Sequence, residues 1–248
     1  MISTLEHRKT IRKYTKQDID DSLLNELLEV ATRASNTGNM QLYSVIATRD
    51  EAIKEQLAPT HFNQSMVVNA PVVLTFCADV NRFVKWSEAR DADAGFDNFQ
   101  TFIAATIDAM LFAQSFCDAA EERGLGLCYL GTTTYNADKI IDILNIPRLV
   151  VPIVTVTLGY PAEEPVQPDR LPLNAILHCE KYEDYTTAAI NDLYKAKESL
   201  ESNRKYVEEN NKENLAQVFT DVRYTRKNNE FFSEAFLTVL KKQGFLTA

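Results

Sequence analysis

Arg8, Thr10 and Arg12 alternate within Arg8-Lys9-Thr10-Ile11-Arg12-Lys13-Tyr14, so in an extended backbone their side chains point the same way. Two guanidiniums and a hydroxyl converging on one side suit a phosphate, with arginine supplying a planar fork and threonine an extra donor. With Lys16 the run holds five basic residues in nine and no acid, in a chain of formal net charge -9. Taken alone, such a run reads most simply as a solvated basic turn before the first long helix.

Other chemistry finds little support. Gly124-Leu125-Gly126-Leu127-Cys128-Tyr129-Leu130-Gly131 holds three of the seven glycines, but its spacing is not that of a dinucleotide fingerprint and it follows a helix. There is no G-x-x-x-x-G-K-[ST] phosphate loop and no G-x-S-x-G nucleophile elbow. Three scattered histidines give neither a triad nor a metal cluster, and no pair of carboxylates stands out. If the chain is an enzyme, a bound cofactor carries the reaction.

The acidic balance argues against nucleic acid or an anionic membrane as the main partner. Cys77, Cys117, Cys128 and Cys179 show no metal or disulfide spacing, and Cys77 and Cys117 sit in apolar runs as core filler. A reducing compartment and a soluble, cytoplasmic protein are expected. The first residues lack an apolar signal core, and Phe99 to Ala120 carries Asp108 and Asp118, which argues against a membrane span.

The elements that must position these residues follow from periodicity. A helix is predicted from Asp20-Asp21-Ser22 to about Ala34, broken by Ser35 to Gln41. Strands are predicted at Tyr43–Thr48, Pro71–Ala78 and Val150–Gly159. Phe99 to Arg123 reads as a helix apolar nearly all round, at the domain centre or a subunit interface, ended by Gly124. Short helices follow at Asp50–Leu57 and Asn136–Leu144. The stretch 81–98, with Trp86, reads as a charged aromatic segment without a clear element, and a lid over a ligand is one reading of it. Four prolines between 161 and 172 mark an irregular connection carrying Arg170. A charged helix is expected from Asp184 to about Asn211, and an apolar-striped one from Glu230 to Gln243. The organisation expected is a domain over 1–180 and a helical C-terminal extension over 181–248, packing on its own or a partner subunit.

Five segments in order resemble one family. Arg8 to Tyr14 resembles the Arg-x-Ser-x-Arg-x-Phe opening of the nitroreductase family of FMN-dependent oxidoreductases. Ala34 to Tyr43 resembles its Ser-x-x-x-Asn-x-Gln-Pro-Trp loop. Asn63-Gln64 ahead of Ala70-Pro71-Val72 is similar to its third element. Gly124 to Gly131 resembles its Gly-Leu-Gly-x-x-x-x-Gly, and Arg170-Leu171-Pro172 resembles the Lys-Pro-Arg-Leu-Pro of the NADPH-dependent branch with long C-terminal extensions.

The resemblance implies an α+β fold, with a central mixed sheet flanked by helices, in an intertwined homodimer with FMN at the subunit interface. It implies that Arg8, Lys9, Thr10 and Arg12 hold the FMN phosphate and ribityl chain. Ser35, Asn36 and Asn39 would approach from the facing loop of the other subunit, and Gln64 would bond the pyrimidine edge. Tyr129, Leu130 and Gly131 would lie against the ring, and Arg170 would return to the phosphate. By residue type alone, Asn36 and Asn39 also suit turns, Gln64 the surface and Tyr129 the core. Three departures stand out: Pro168-Asp169-Arg170 lacks the lysine of Lys-Pro-Arg, Gln41-Leu42-Tyr43 replaces Gln-Pro-Trp, and no Thr-Trp-Ser tail exists. Arg204 and Lys205 read as a charged helix face. The activity implied is an NAD(P)H oxidoreductase, with NADPH or NADH as donor, reducing nitroaromatics, quinones or free flavin by a ping-pong hydride mechanism with no catalytic side chain. A flavin-binding or sensing protein without turnover, and a helical interaction protein without flavin, are the alternatives.

Overall fold

The computed structural model describes residues 2–246. The described residues form two compact units, one of 2–167 with 232–246 and the other of 168–231. The division falls at Gln167/Pro168, ahead of the boundary expected near residue 180, and the last stretch rejoins the first unit.

In the first unit, α1 (Ile2–Glu6) and α2 (Asp21–Ala31) precede β1 (Tyr43–Thr48). Helices α3 (Glu51–Leu57) and α4 (Met66–Asn69) lead to β2 (Val72–Asp79), and α5 (Asn81–Glu88) to the long α6 (Phe99–Glu122). Then come β3 (Gly126–Leu130), α7 (Ala137–Ile143) and β4 (Val150–Gly159). The strands form one sheet in the order β1-β2-β4-β3. Helices flank it as expected, but every described pair is antiparallel, so the mixed sheet is not found within one chain. The connections β1 to β2 and β3 to β4 return to the sheet at the end where the previous strand left it, which reverses direction.

β2 is paired on both sides and buried along its whole length, which its unbroken apolar run requires. Its register with β4 slips between Phe76 and Cys77, opposite Val154 and Pro152, where proline has no N–H to give the ladder. On one face of the sheet, Phe112, Ala113 and Phe116 of α6 pack on Leu74, Phe76, Leu127 and Val156. On the other, Leu57, Met66 and Ile140 pack on Cys77, Cys128 and Leu130. Cys77, Cys117 and Cys128 are buried free thiols, and Cys179 is exposed.

α6 is long and apolar enough to cross a membrane by length and composition, yet its buried stripe is this core. Asn98 caps it, accepting from Thr101 N at 3.0 Å, and Gly124 ends it with φ +77°. The segment 81–98 contains α5, whose Phe83 and Val84 pack on the cluster of Leu42 and Phe102. Trp86 remains 57% exposed.

The second unit holds α8 (Thr187–Ser199), α9 (Glu201–Glu209) and α10 (Leu215–Val218). The single helix expected from 184 to 211 is therefore two, broken at Leu200, whose backbone is extended. Arg223 lies over the rings of Tyr206, Phe219 and Tyr224 at 5.6, 5.8 and 5.8 Å. α11 (Arg226–Gln243) ends the chain's elements, and its Phe236, Val239 and Leu240 pack in the first unit with Phe102 and Phe245.

Candidate active site

The basic segment is extended and lies along β3. Ile11 N donates to Leu127 O at 3.0 Å, Thr15 N to Tyr160 O at 2.9 Å, and Tyr14 bridges to Pro161. Ile11 is buried, and its neighbours point elsewhere. Arg8 is half-buried, with Nε 3.5 Å from Glu121 Oε2 on the last turn of α6. Neither atom has a hydrogen bond although both are buried, and no described residue accepts from the Nη groups.

The run is less bare than its sequence suggests. Lys9 pairs with Glu164, and the backbone N–H groups of Arg12 and Lys13 donate to Glu163 Oε1 at 2.7 and 3.1 Å. The Arg12 side chain is exposed, with its guanidinium beside the Cys128 thiol. Burial pushes that thiol's pKa up, and Arg12 partly offsets the shift. Thr10 is half-buried and makes no side-chain hydrogen bond among the described residues.

Beyond β3 the chain meets the loop after α3. His61 Nδ1 lies 2.8 Å from Thr132 Oγ1, and Asn136 Nδ2 donates to Thr60 O at 2.7 Å. Phe62 and Asn63 both take left-handed φ of 55°, conformations side chains rarely adopt, and they lead directly into Gln64. The Gln64 amide is half-buried without a partner among the described residues. Burial lowers the His61 pKa to about 4, so this ring is neutral at physiological pH.

Tyr129 is half-buried, and its hydroxyl donates to Gln114 Oε1 at 3.4 Å. Leu130 is 2% exposed and packs in the core, so only its main chain can touch a ligand. Gly131 is exposed, with nothing within 4 Å of where a Cβ would be. The basic segment, Gln64 and the end of β3 are thus brought to neighbouring loops of the first unit.

Ser35, Asn36 and Asn39 are placed differently. Ser35 and Asn39 are exposed, while Asn36 Oδ1 accepts from Gln41 N at 3.2 Å as a turn residue. The loop is held by Asp108, buried on α6, which accepts from Thr37 N at 2.8 Å, Thr37 Oγ1 at 3.0 Å and Leu42 N at 3.3 Å. At about 1.5 Å rise per residue, Asp108 near the middle of α6 and Glu121 on its last turn stand roughly 20 Å apart along the helix, which separates this loop from Arg8. Arg170 belongs to the second unit, where its Nη1 donates to Asp169 O at 2.9 Å.

Sequence reasoning passed over Glu121, Glu163, Glu164, His61 and the structural role of Asp108. An acid inside an otherwise apolar helix was the available signal for Asp108. Among the described residues no group of His, Cys, Asp and Glu could hold a metal.

The chain matches the profile of the Nitroreductase family over residues 5–160, and it belongs to that family. A Cr(VI) reductase of Pseudomonas sp. (strain G-1) is 31% identical over 206 residues, covering 81% of this chain and 85% of the relative. The FMN reductase (NADPH) of Bacillus subtilis (strain 168) is 32% identical over 183 residues, 73% of this chain and 74% of the relative. A crystal structure from Bacteroides fragilis NCTC 9343 superposes with TM-score 0.98 at 59% identity, covering 99% of this chain and 100% of that one.

Proposed function

We propose that this protein binds FMN and uses NADPH or NADH to reduce small electron acceptors such as nitroaromatics, quinones or free flavin. The observation that carries the reading is Arg8, a half-buried guanidinium with Nε 3.5 Å from Glu121 Oε2, no acceptor for its Nη groups among the described residues, and Tyr129 near enough to feel its charge. A phosphate dianion needs charge-assisted donors, and a flat ring needs backbone that can be approached closely. The Gln64 amide, without a partner among the described residues, suits the hydrogen-bonding edge of such a ring.

When bound, FMN supplies the relay of hydride from the nicotinamide donor to the acceptor. The chain's own residues bind and orient. Arg8, Lys9, Thr10 and Arg12 take the phosphate and ribityl end, Gln64 takes the pyrimidine edge, and Tyr129, the Leu130 main chain and Gly131 support the ring.

The working form is a homodimer. Ile107, Met110 and Leu111 leave an apolar strip of α6 exposed at 53%, 37% and 43%. Placing that strip between subunits lets Ser35, Asn36 and Asn39 of one copy approach the flavin of the other, whereas within one copy their loop is held roughly 20 Å along α6 from Arg8. Three buried free thiols and the exposed Cys179 suit a reducing, cytoplasmic setting.

The test is the visible spectrum of purified protein, followed by anaerobic titration with NADPH and NADH. Oxidised flavin absorbance bleached within a catalytic turnover time supports the reading. A yellow protein that bleaches slowly or not at all would be a flavin binder without turnover, and a colourless one that FMN cannot reconstitute would end the proposal.

A further inference from the structure

We infer that Glu121 is a positioning residue for Arg8, turning the terminal Nη edge of its guanidinium toward a phosphate monoester. The inference rests on the FMN reading above and extends it to a residue that touches no part of the cofactor.

A guanidinium offers two pairs of donors, one including Nε and one formed by the two Nη groups. Glu121 Oε2 stands 3.5 Å from Arg8 Nε, so the carboxylate occupies the side edge and leaves the end edge for another anion. The two side chains are only 22% and 9% exposed, so water screens their attraction poorly. Both contacting atoms are buried without another partner, so neither group has a competing anchor in the described residues.

The groups around the pair do not replace it. Burial holds the Cys117 thiol up to about 12 and keeps the Tyr129 phenol protonated well above its usual range. Asp118, one turn back on α6, raises the Glu121 carboxyl, whereas Arg8 lowers it. Lys9 is engaged with Glu164 and cannot take over the Glu121 carboxylate. Glu121 therefore fixes one edge of Arg8 in advance, so that less side-chain freedom is lost when a phosphate binds the other.

The measurement is the affinity of the apoprotein for FMN and for riboflavin, which differ by the phosphate, followed by flavin fluorescence quenching. Glu121→Gln keeps size and removes charge; it is expected to weaken FMN about tenfold, one charge-assisted contact's worth, and to leave riboflavin unchanged. Glu121→Asp, which keeps the charge, is expected to recover part of the loss for FMN alone. Equal weakening of both flavins, or no change in FMN, would overturn the inference. Arg8→Ala separates the two levels. If it binds FMN as tightly as wild type, the phosphate assignment of Arg8 is wrong. If it loses FMN while Glu121→Gln does not, that assignment stands and the positioning role falls.

Discussion

The side chain of Ile11 fills the space that a Cβ on Gly126 would need: such an atom would lie 2.7 Å from Ile11 Cβ and Cγ1. Gly126 pairs in register with Gly159 on β4, and there a Cβ would lie 2.8 Å from the ring of Tyr14. Two facing glycines thus open adjacent slots, and the residues on either side of Arg12 and Lys13 sit in them. Tyr14 locks the arrangement, with its hydroxyl 2.8 Å from Ile11 O and 2.7 Å from Thr157 Oγ1. The glycine at 126 serves the docking of the basic segment, whereas Gly131 has open space around it.

Gly126→Ala should therefore act on both stability and cofactor retention. Overpacking against a buried β-branched side chain costs about 1–3 kcal/mol, because Ile11 must move with its backbone. Displacing Ile11 also shifts Arg8 and Arg12, so FMN should be lost more readily. Urea unfolding of the apoprotein and flavin content after gel filtration measure the two effects. Gly95→Ala, with nothing within 4 Å of the new Cβ, should change neither. Wild-type stability in Gly126→Ala would mean that the slot is slack.

Asp108 gives a second prediction. Its buried carboxylate accepts three hydrogen bonds from the loop between α2 and β1. Asp108→Ala leaves the Thr37 and Leu42 N–H groups without their acceptor and should destabilise by about 2–4 kcal/mol. Asp108→Asn keeps one acceptor oxygen and should fall between. Amide exchange should quicken at Thr37 and Leu42 in both variants, and protection unchanged there would refute the assignment.

Much of the fold was legible because local chemistry and burial agree. Tyr43–Thr48 and Val150–Gly159 are strands with the expected bounds, since β-branched runs closed by turn formers have no competing helical period. Gly124 ends α6 as a C′ glycine should. α5 was not legible: its N-cap is Val80, it offers no side-chain cap, and its Phe83 and Val84 serve a cluster built by distant segments. The site was legible as a set of motifs and opaque as a geometry. Nothing local to Arg8 announces Glu121, and nothing in Lys9 announces Glu164, because those pairings are made by the fold. Leu130 looked like a ring contact by its place in a motif, but β3's alternation turns it into the core.

His61 predicts a pH dependence with a definite sign. Burial lowers its folded pKa to about 4 from an ordinary value of 6.5. Between these values the unfolded chain binds the proton more readily, so stability falls as pH drops from 6.5 to 4 and levels off below. The full loss is on the order of 3 kcal/mol, from a gap of roughly 2.5 pK units. Glu121 opposes this: burial, partly offset by Arg8, raises it from 4.5 to about 6, so its contribution to stability falls as pH rises across that interval. Apoprotein unfolding should thus steepen with acidity in Glu121→Gln and flatten in His61→Gln. The same slope in His61→Gln as in wild type would show that another group titrates.

The exposed strip of α6 makes the last prediction. Leu111 is 43% exposed on a helix whose opposite face carries the core, with Ile107 and Met110 beside it. In a homodimer that burial would be completed by a second copy, and each methylene group removed from water contributes about 0.8 kcal/mol. Leu111→Glu puts a charge there that cannot be desolvated without a partner, and it should shift the protein from dimer to monomer in sedimentation velocity at micromolar concentration. Because the fold of one chain does not use this face, circular dichroism and the core should be unaffected. If Asn36 and Asn39 complete the site from the other copy, as proposed, flavin should be lost together with the dimer. A monomeric Leu111→Glu that still holds FMN with wild-type affinity would show instead that one chain builds the whole binding site and that the loop held by Asp108 serves another purpose.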